Sequence, residues 1–289
     1  MVDPNGVFVH PSGTIFVSIK KLTTMEEKPQ ATEAFLTIHD TPVYFQEDWD
    51  TGIGGGLWST GLAMGKYLEI NATSVRTWME QGWGGGHKRL SVLELGSGNG
   101  FLSVCMMALA RDLISELVVT DLEDHLDLIQ QTFDANPHLL LSDRNYDEGE
   151  DKAQKVSIVK HEWGKFTQEE EEEEEEEGEG ESTSATSRAS KVHERSLRAQ
   201  FDLILGSDVA YHHDLYDILI TSLQRFSHDR TVSLIGVTMN DTKPLFFAKL
   251  RNAGFQYERL ADHLLPTDFR GTTFGIFAIR KRKTTTTHS

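Results

Sequence analysis

The chain has 289 residues, 38% of them hydrophobic, one cysteine and a formal net charge of −17. That length fits one α/β domain with extensions, no apolar run approaches the roughly 20 residues that span a bilayer, and a lone cysteine excludes an intrachain disulfide. Residues 168–200 hold twelve acids against four bases, and the rest of the chain is also acidic, which disfavours a nucleic-acid backbone as the partner.

In the N-terminal part of the chain, residues 1–46, apolar and polar residues alternate in several short runs from residue 6 onward. This pattern predicts a short β extension of hairpin-like strands, with Asp40 to Pro42 as a turn. A glycine-rich loop ending at Trp58 follows, and then a helix capped by Ser59 or Thr60. Residues 71–89, which hold four glycines, are predicted to be a loose connection to the first strand of the main domain.

Residues 92–100, with the sequence VLELGSGNG, form the motif around which the chain is organised. A short apolar run leads into Gly96, Gly98 and Gly100, and an apolar helix is predicted over 101–113. Strand, glycine turn and buried helix open a βαβ unit. The glycines let a ligand approach the backbone, and the helix N-terminus offers free N–H groups. A turn used only for packing is the alternative.

The spacing of these glycines differs from the dinucleotide fingerprint G-x-G-x-x-G, because the third glycine follows the second by only two residues. An acid, Glu94, also stands just before the turn. We interpret an acid at the mouth of the site as evidence against a pyrophosphate and for a cationic or hydroxyl-bearing ligand. S-adenosylmethionine, which carries a sulfonium, an ammonium and a ribose, fits that description, and a Rossmann dehydrogenase is disfavoured.

A second buried strand, 116–121, ends in Asp121, 23 residues after Gly98. An acid about 20 residues after the glycines binds the ribose hydroxyls in βαβ nucleotide sites. We therefore predict that Asp121 binds the ribose of the cofactor. The alternative is that Asp121 only caps the next helix.

The remaining sequence completes a Rossmann-like α/β sheet. Five further strands are predicted over 155–160, 201–208, 231–238, 255–260 and 272–280, with helices over 125–135, 215–226 and 244–253. This gives seven main strands, and the last pair should be antiparallel because no helix separates its members. The nine consecutive glutamates within 168–200 predict an acidic disordered insert. The main domain would then comprise 47–167 and 201–283, between the extension at 1–46 and a tail at 284–289.

Together these motifs resemble the seven-β-strand, family-16 methyltransferases of the methyltransferase-like 21 type, and the similarity covers about residues 35–280 apart from the insert. The matching elements, in order, are Leu57-Trp58 with KYLE at 66–69, VLELGSGNG at 92–100, VVTD at 118–121, Trp163-Gly164, and FDLILGSDVAY at 201–211. The resemblance implies a class I methyltransferase sheet and transfer of a methyl group from S-adenosylmethionine to a protein lysine. It also implies a chaperone, an AAA ATPase or an elongation factor as the kind of substrate.

The same resemblance implies the residues of the site. Those implied to line the cofactor are Trp58, Gly96, Ser97, Gly98, Asp121, Trp163 and Ser207. Glu94 joins them through the charge argument above. Asp208 and Tyr211 match the family's Asp-x-x-Tyr signature at the acceptor side and are predicted to be catalytic. The sequence departs from the family at Ser59, where Asp is frequent, and in the acidic insert beside the acceptor face.

Methyl transfer from a sulfonium is an in-line displacement, so the site must align nitrogen, carbon and sulfur. Alignment contributes up to roughly 7–11 kcal/mol. A lysine must react as the neutral amine although its free pKa is about 10.4, so Asp208 is predicted to position the incoming ammonium rather than act as a strong base. Tyr211 and Trp163 would add cation–π attraction on the order of 1 kcal/mol. The alternative is that Asp208 and Tyr211 only cap the helix that follows.

Other features set the remaining expectations. The histidines lack metal-site spacing with cysteine or acids, so no metal is expected. The start of the chain lacks the pattern of a signal peptide, and we expect a monomer in the cytoplasm, with the nucleus as a second compartment, that acts on neither nucleic acid nor membrane. Arginine, histidine or a small molecule is the alternative acceptor. A non-catalytic binding module of the same fold is the alternative class.

Overall fold

The computed structural model describes residues 7–9, 15–17, 33–82, 89–140, 154–166 and 200–282. Its strands are β1 Val7–Val9, β2 Ile15–Val17, β3 Leu36–Ile38, β4 Thr41–Val43, β5 Leu90–Leu95, β6 Ile114–Asp121, β7 Lys155–Lys160, β8 Phe201–Ser207, β9 Ser227–Thr238, β10 Phe255–Arg259 and β11 Phe274–Lys281. Its helices are α1 Ser59–Ile70, α2 Ala72–Gly82, α3 Phe101–Ala110, α4 Leu126–Asp134, α5 Tyr216–Phe226 and α6 Pro244–Asn252. Apart from Gln200, the predicted acidic insert lies outside the described residues, as does the tail at 284–289.

Seven of the strands form one mixed sheet in the order β10-β11-β9-β8-β5-β6-β7. The neighbours from β9 to β7 pair in parallel, whereas β11 is antiparallel to both β9 and β10. The predicted seven-stranded Rossmann-like sheet with an antiparallel last strand is therefore confirmed. The strand order reverses between β5 and β8, and open α/β sheets bind ligands outside the carboxyl ends of their strands at such a point.

Helices cover both faces of the sheet, because successive side chains of a strand point to opposite sides. On β5, Val92 packs with the cluster that contains α1 to α4, while Leu93 and Leu95 pack with the cluster that contains α5 and α6. All ten residues of α3 are buried, which agrees with the apolar sequence predicted for it. The helix that follows the glycine turn is thus held on all sides.

The hairpin of β3 and β4 packs into the first of these clusters. Its tip is formed by His39 and Asp40, which both have positive φ, rather than by residues 40–42 as predicted. Phe35 and Phe45 flank the hairpin and meet the ring of Phe101 edge-on, with centroid distances of 5.7 and 5.1 Å. Since Phe101 is the first residue of α3, the hairpin supports the end of the glycine turn from behind.

The prediction of a loose connection over residues 71–89 is wrong in its first part, which forms α2. The glycines suggested a loop, but Ala72, Val75 and Met79 are buried at helical spacing, and all four glycines fall at or beyond the end of the helix. In the part of the chain that the structure describes, no helix combines the length and the apolar character needed to cross a membrane.

Candidate active site

A cavity of about 650 Å³ opens at the carboxyl ends of the central parallel strands, beside the loop that precedes α1. Nine of the ten residues predicted for the site line it, namely Trp58, Gly96, Ser97, Gly98, Asp121, Trp163, Ser207, Asp208 and Tyr211. They come from five separate segments of the chain, which meet there because β5, β6, β7 and β8 run in the same direction. Glu94 is the one predicted residue that is not part of the lining.

The carboxylate of Asp121 is fixed by two backbone donors. Gly98 N–H donates to Oδ2 at 2.7 Å and Leu122 N–H donates to Oδ1 at 2.7 Å. Burial raises the pKa of Asp121, while the two N–H groups and His125 lower it. Each carboxylate oxygen has a second lone pair, so Asp121 can still accept hydrogen bonds from a ligand. Asp121 does not cap the following helical turn, whose N-cap is Leu122 without a side-chain bond.

The glycine turn needs glycine for reasons of space as well as conformation. Gly98 has φ +60°, and a Cβ there would lie 2.7 Å from the carbonyl oxygen of Gly54 in the loop before α1. Ser97 and Asn99 line the same cavity, and their Oγ and Nδ2 atoms are buried without a hydrogen-bond partner among the described residues. Buried polar atoms are normally paired, so these two atoms fit a polar ligand seated on the turn.

Two tryptophans, Trp58 and Trp163, form part of the cavity wall. Trp58 donates its indole N–H to the carbonyl of Ile53, which ties it to the glycine-rich loop. Trp163 lies against the glycine turn, since a Cβ on Gly96 would come within 2.6 Å of its ring. Gly164 N–H donates to Ser222 Oγ at 3.0 Å and so anchors the Trp163 loop to α5. Both rings are therefore held by hydrogen-bonded loops.

The predicted placement of Glu94 at the mouth of the site is wrong. Glu94 is fully buried in the central strand, and its carboxyl accepts a hydrogen bond from Ser103 Oγ on α3. The alternation of side chains along β5 directs Glu94 to the α3 face, like Val92, rather than to the strand end. Burial raises its pKa to about 8, partly offset by Ser103, so the side chain is mostly a neutral acid at pH 7.

Replacing Glu94 with glutamine should therefore stabilise the protein at neutral pH. The folded pKa lies above the unfolded value of 4.5, so wild-type stability is greatest at low pH and falls as pH rises toward 8. At about 1.4 kcal/mol per pKa unit, the gain at pH 7, which lies about 2.5 units above the unfolded pKa, is about 3 kcal/mol. Urea denaturation at pH 5 and pH 8 measures the difference, with the exposed Glu258→Gln as control. Equal pH slopes for Glu94→Gln and the wild type would contradict the assignment.

Asp208 lies just after β8 and has an unusual backbone, with φ +55°. Its Oδ2 accepts the N–H of Thr60 at 3.1 Å, and its Oδ1 accepts the hydroxyls of Thr60 at 2.6 Å and of Thr238 at 3.0 Å. Asp208 therefore caps the N-terminus of α1, which corrects two expectations: neither Ser59 nor Thr60 is the cap, and Asp208 does not cap the helix after β8. Burial raises its pKa to about 6, and the hydroxyls of Thr60 and Thr238 lower it.

Tyr211 stands at the outer part of the cavity, with 44% of its surface exposed. Burial raises its pKa, as does the negative charge of Asp121. The described residues that line the cavity include four acids and neither lysine nor arginine; the acids are Asp121, Glu162, Asp208 and Asp241. Such a lining favours a positively charged ligand.

Several lining residues have no signal in the sequence. His125 and Thr238 belong to no motif, yet both line the cavity, and His125 Nε2 is buried without a partner among the described residues. Burial lowers the pKa of another lining residue, His161, to about 4. The predicted absence of metal-site spacing also missed one surface group, because exposed atoms of His212, His213 and Asp214 lie within 4.8 Å of one another.

The order of the sheet, the glycine turn after β5 and the acid at the end of β6 define the class of Rossmann-like, class I methyltransferases, which use S-adenosylmethionine. The family described as "Lysine methyltransferase" matches residues 38–165 of this chain, in agreement with the resemblance found in the sequence. A relative is the mouse protein N-lysine methyltransferase METTL21A, 24% identical over 212 residues, which cover 72% of this chain and 70% of that protein.

Similarities to solved structures are more distant. The ribosomal protein L11 methylase of Lactobacillus delbrueckii subsp. bulgaricus is 15% identical, with a TM-score of 0.40 and coverage of 74% of this chain and 80% of that one. The 1,6-didemethyltoxoflavin-N1-methyltransferase of Burkholderia thailandensis, solved with 1,6-didemethyltoxoflavin and S-adenosylhomocysteine, is also 15% identical, with a TM-score of 0.40 and coverage of 78% and 81%.

Proposed function

We propose that this enzyme transfers a methyl group from S-adenosylmethionine to a lysine side chain of a protein, in the cavity between the carboxyl ends of the central strands. One observation carries the proposal. Asp121, which is predicted to bind the cofactor, and Asp208, which is predicted to bind the acceptor lysine, line the same cavity. A two-substrate transfer needs both groups within reach of one reacting centre.

The cofactor half of the cavity is proposed to consist of Trp58, Gly96, Ser97, Gly98, Asp121, Trp163 and Ser207. Asp121 accepts hydrogen bonds from the ribose hydroxyls, and Gly98 lets the ligand lie against the backbone. The unpartnered Ser97 Oγ and Asn99 Nδ2 support this fit. When bound, S-adenosylmethionine supplies a methyl group on a positively charged sulfur. We do not assign Glu94 to this half, since its carboxyl faces Ser103.

The acceptor half is proposed to consist of Asp208 and Tyr211. Asp208 binds the lysine ammonium through a charge-assisted hydrogen bond, and the ring of Tyr211 covers its methylene groups and its charge. With a pKa near 6, Asp208 is too weak a base to deprotonate a group whose free pKa is about 10.4. Asp208 therefore orients the nitrogen, and the ammonium loses its proton to water before the N–C bond forms and the C–S bond breaks.

The test is methyl transfer to a protein extract. The purified enzyme is incubated with labelled S-adenosylmethionine and lysate from cells grown with a methylation inhibitor, and the labelled residue is identified by mass spectrometry. We expect a methylated lysine that is absent with Asp208→Asn. A label on arginine, on histidine or on a small molecule would contradict the acceptor assignment. Cofactor binding without any transfer would favour a non-catalytic binding module.

We also propose the wider setting of this activity. The resemblance supports a chaperone, an AAA ATPase or an elongation factor as the substrate, and the acidic composition supports a protein rather than a nucleic acid. We propose a monomer in the cytoplasm, with the nucleus as a second compartment. The proposed boundaries remain an extension at 1–46, a methyltransferase domain at 47–167 and 201–283, an acidic insert at 168–200 and a tail at 284–289.

A further inference from the structure

The carboxylate of Asp208 forms a closed group with two threonine hydroxyls. Thr60 Oγ1 is 2.6 Å and Thr238 Oγ1 is 3.0 Å from Asp208 Oδ1, and the two hydroxyl oxygens are 3.0 Å apart. Both hydroxyl protons can therefore serve the same carboxylate oxygen when Asp208 is ionised. The other oxygen accepts the N–H of Thr60 at the start of α1, where the helix dipole also favours a negative charge.

The two threonines are themselves held rigidly. Thr60 is fully buried and Thr238 is 5% exposed. The γ-methyl of Thr60 packs on Gly236 of β9, where a Cβ would come within 2.6 Å of it. Gly236 also accepts the N–H of Asp208 at 3.0 Å. Because β-branched side chains have few rotamers, the hydroxyl oxygens of Thr60 and Thr238 are held in fixed positions beside the carboxylate of Asp208.

We propose that Thr60 and Thr238 are positioning residues that hold the ionised carboxylate of Asp208 toward the acceptor amine. The proposal rests on the proposed function, in which Asp208 binds that amine. A helix cap alone needs only the backbone N–H of Thr60, whereas here two side-chain hydroxyls, one from Thr60 and one from Thr238 at the end of β9, converge on the same oxygen. The strained backbone of Asp208 is held in place by this arrangement.

The arrangement has a consequence for the pH dependence of transfer. Thr60 and Thr238 lower the pKa of Asp208, which burial has raised to about 6. Because the amine must also be neutral, transfer falls with pH throughout this range; protonation of Asp208 should make the fall steeper below about pH 6, and loss of a hydroxyl donor should move that break to higher pH. Asp241 is the charged group that raises the pKa of Asp208. The other titratable groups lining the cavity are Asp121, His125, His161, Glu162, Tyr211 and His212.

The experiment compares pH–rate profiles of kcat for Thr238→Val and Thr60→Val with those of Thr238→Ser and Thr60→Ser. We expect each valine variant to shift the acid limb upward by about one pH unit and to lower kcat at pH 7, with cofactor affinity unchanged. The serine variants keep the hydroxyl and should restore the wild-type limb. Thr231→Val is the matched control, because Thr231 is buried on the same strand but bonds to Phe201 O at the far end.

The outcomes separate this proposal from the function on which it rests. An unshifted acid limb in both valine variants, together with loss of transfer in Asp208→Asn, would overturn the positioning role and leave the role of Asp208 intact. Full transfer by Asp208→Asn would overturn the role of Asp208 itself. An equal shift of the acid limb in Thr231→Val would show that this limb of the pH–rate profile reports loss of stability rather than loss of the hydroxyls that hold the Asp208 carboxylate.

Discussion

Replacing Asp121 with alanine is expected to weaken the binding of S-adenosylmethionine by about 100-fold or more. Hydrogen bonds from hydroxyls to a carboxylate contribute roughly 1.5–3 kcal/mol each, and a ribose offers two hydroxyls. The substitution also leaves the N–H of Gly98 without its 2.7 Å acceptor, which loosens the turn beneath the ligand. Isothermal titration calorimetry of the purified variants measures the affinity, and thermal melting shows whether the fold is intact.

Two further variants make this expectation sharper. Asp121→Asn keeps the shape and an acceptor for Gly98 N–H but loses the charge, so its affinity should fall between those of the wild type and the alanine variant. Glu123→Ala is the control, because Glu123 is 72% exposed, pairs with Lys160 at 3.0 Å and does not line the cavity. An alanine variant at position 121 that binds as tightly as Glu123→Ala would remove Asp121 from the ribose site.

Asp208→Asn is expected to lower kcat by about 10²–10³ while leaving cofactor affinity nearly unchanged. The loss comes from misplacing the acceptor nitrogen, and an error of about 1 Å in its position costs on the order of 100-fold. Asparagine is the informative substitution, because it tolerates the positive φ of Asp208 and its amide oxygen can still accept the N–H of Thr60. Alanine would also remove the cap of α1, so that a loss of transfer could not be separated from a loss of stability.

Steady-state kinetics with the protein identified by labelling as substrate, in its unmethylated form, check this prediction alongside calorimetry with S-adenosylmethionine. Asp214→Asn serves as the control, since Asp214 is 74% exposed on the same loop and does not line the cavity. Equal losses of kcat and of cofactor affinity in Asp208→Asn would place Asp208 in the cofactor site, and an unchanged kcat would remove it from the acceptor site.

The parts of this fold that could be predicted are those set by local sequence. The glycine turn at 96–100 and the acid at the end of the next strand follow from a contiguous pattern, and in the structure the Gly98 nitrogen lies 2.7 Å from Asp121 Oδ2. The buried helix α3 could be predicted because no face of it is polar. In each case the period of apolar residues or the conformational need for glycine decides the result.

The parts that were missed depend on which face a residue presents or on contacts between distant segments. Glu94 looked like a group at the mouth of the site, but the pleat of β5 turns it into the core against Ser103. Thr60 meets Asp208 across 148 residues and Thr238 across 178, and nothing near Thr60 in the chain indicates either partner. The prediction missed α2 because the glycines that follow it suggested a loop, although Ala72, Val75 and Met79 have helical spacing and are buried.

A crystal structure of the protein with S-adenosylhomocysteine tests most directly the claim that one cavity serves both substrates. We expect the ribose hydroxyls to be hydrogen-bonded to the carboxylate of Asp121, the ligand to lie against the backbone of Gly98, and the sulfur to face Asp208 and Tyr211. Density for the ligand outside this cavity, or with its sulfur turned away from Asp208, would contradict it.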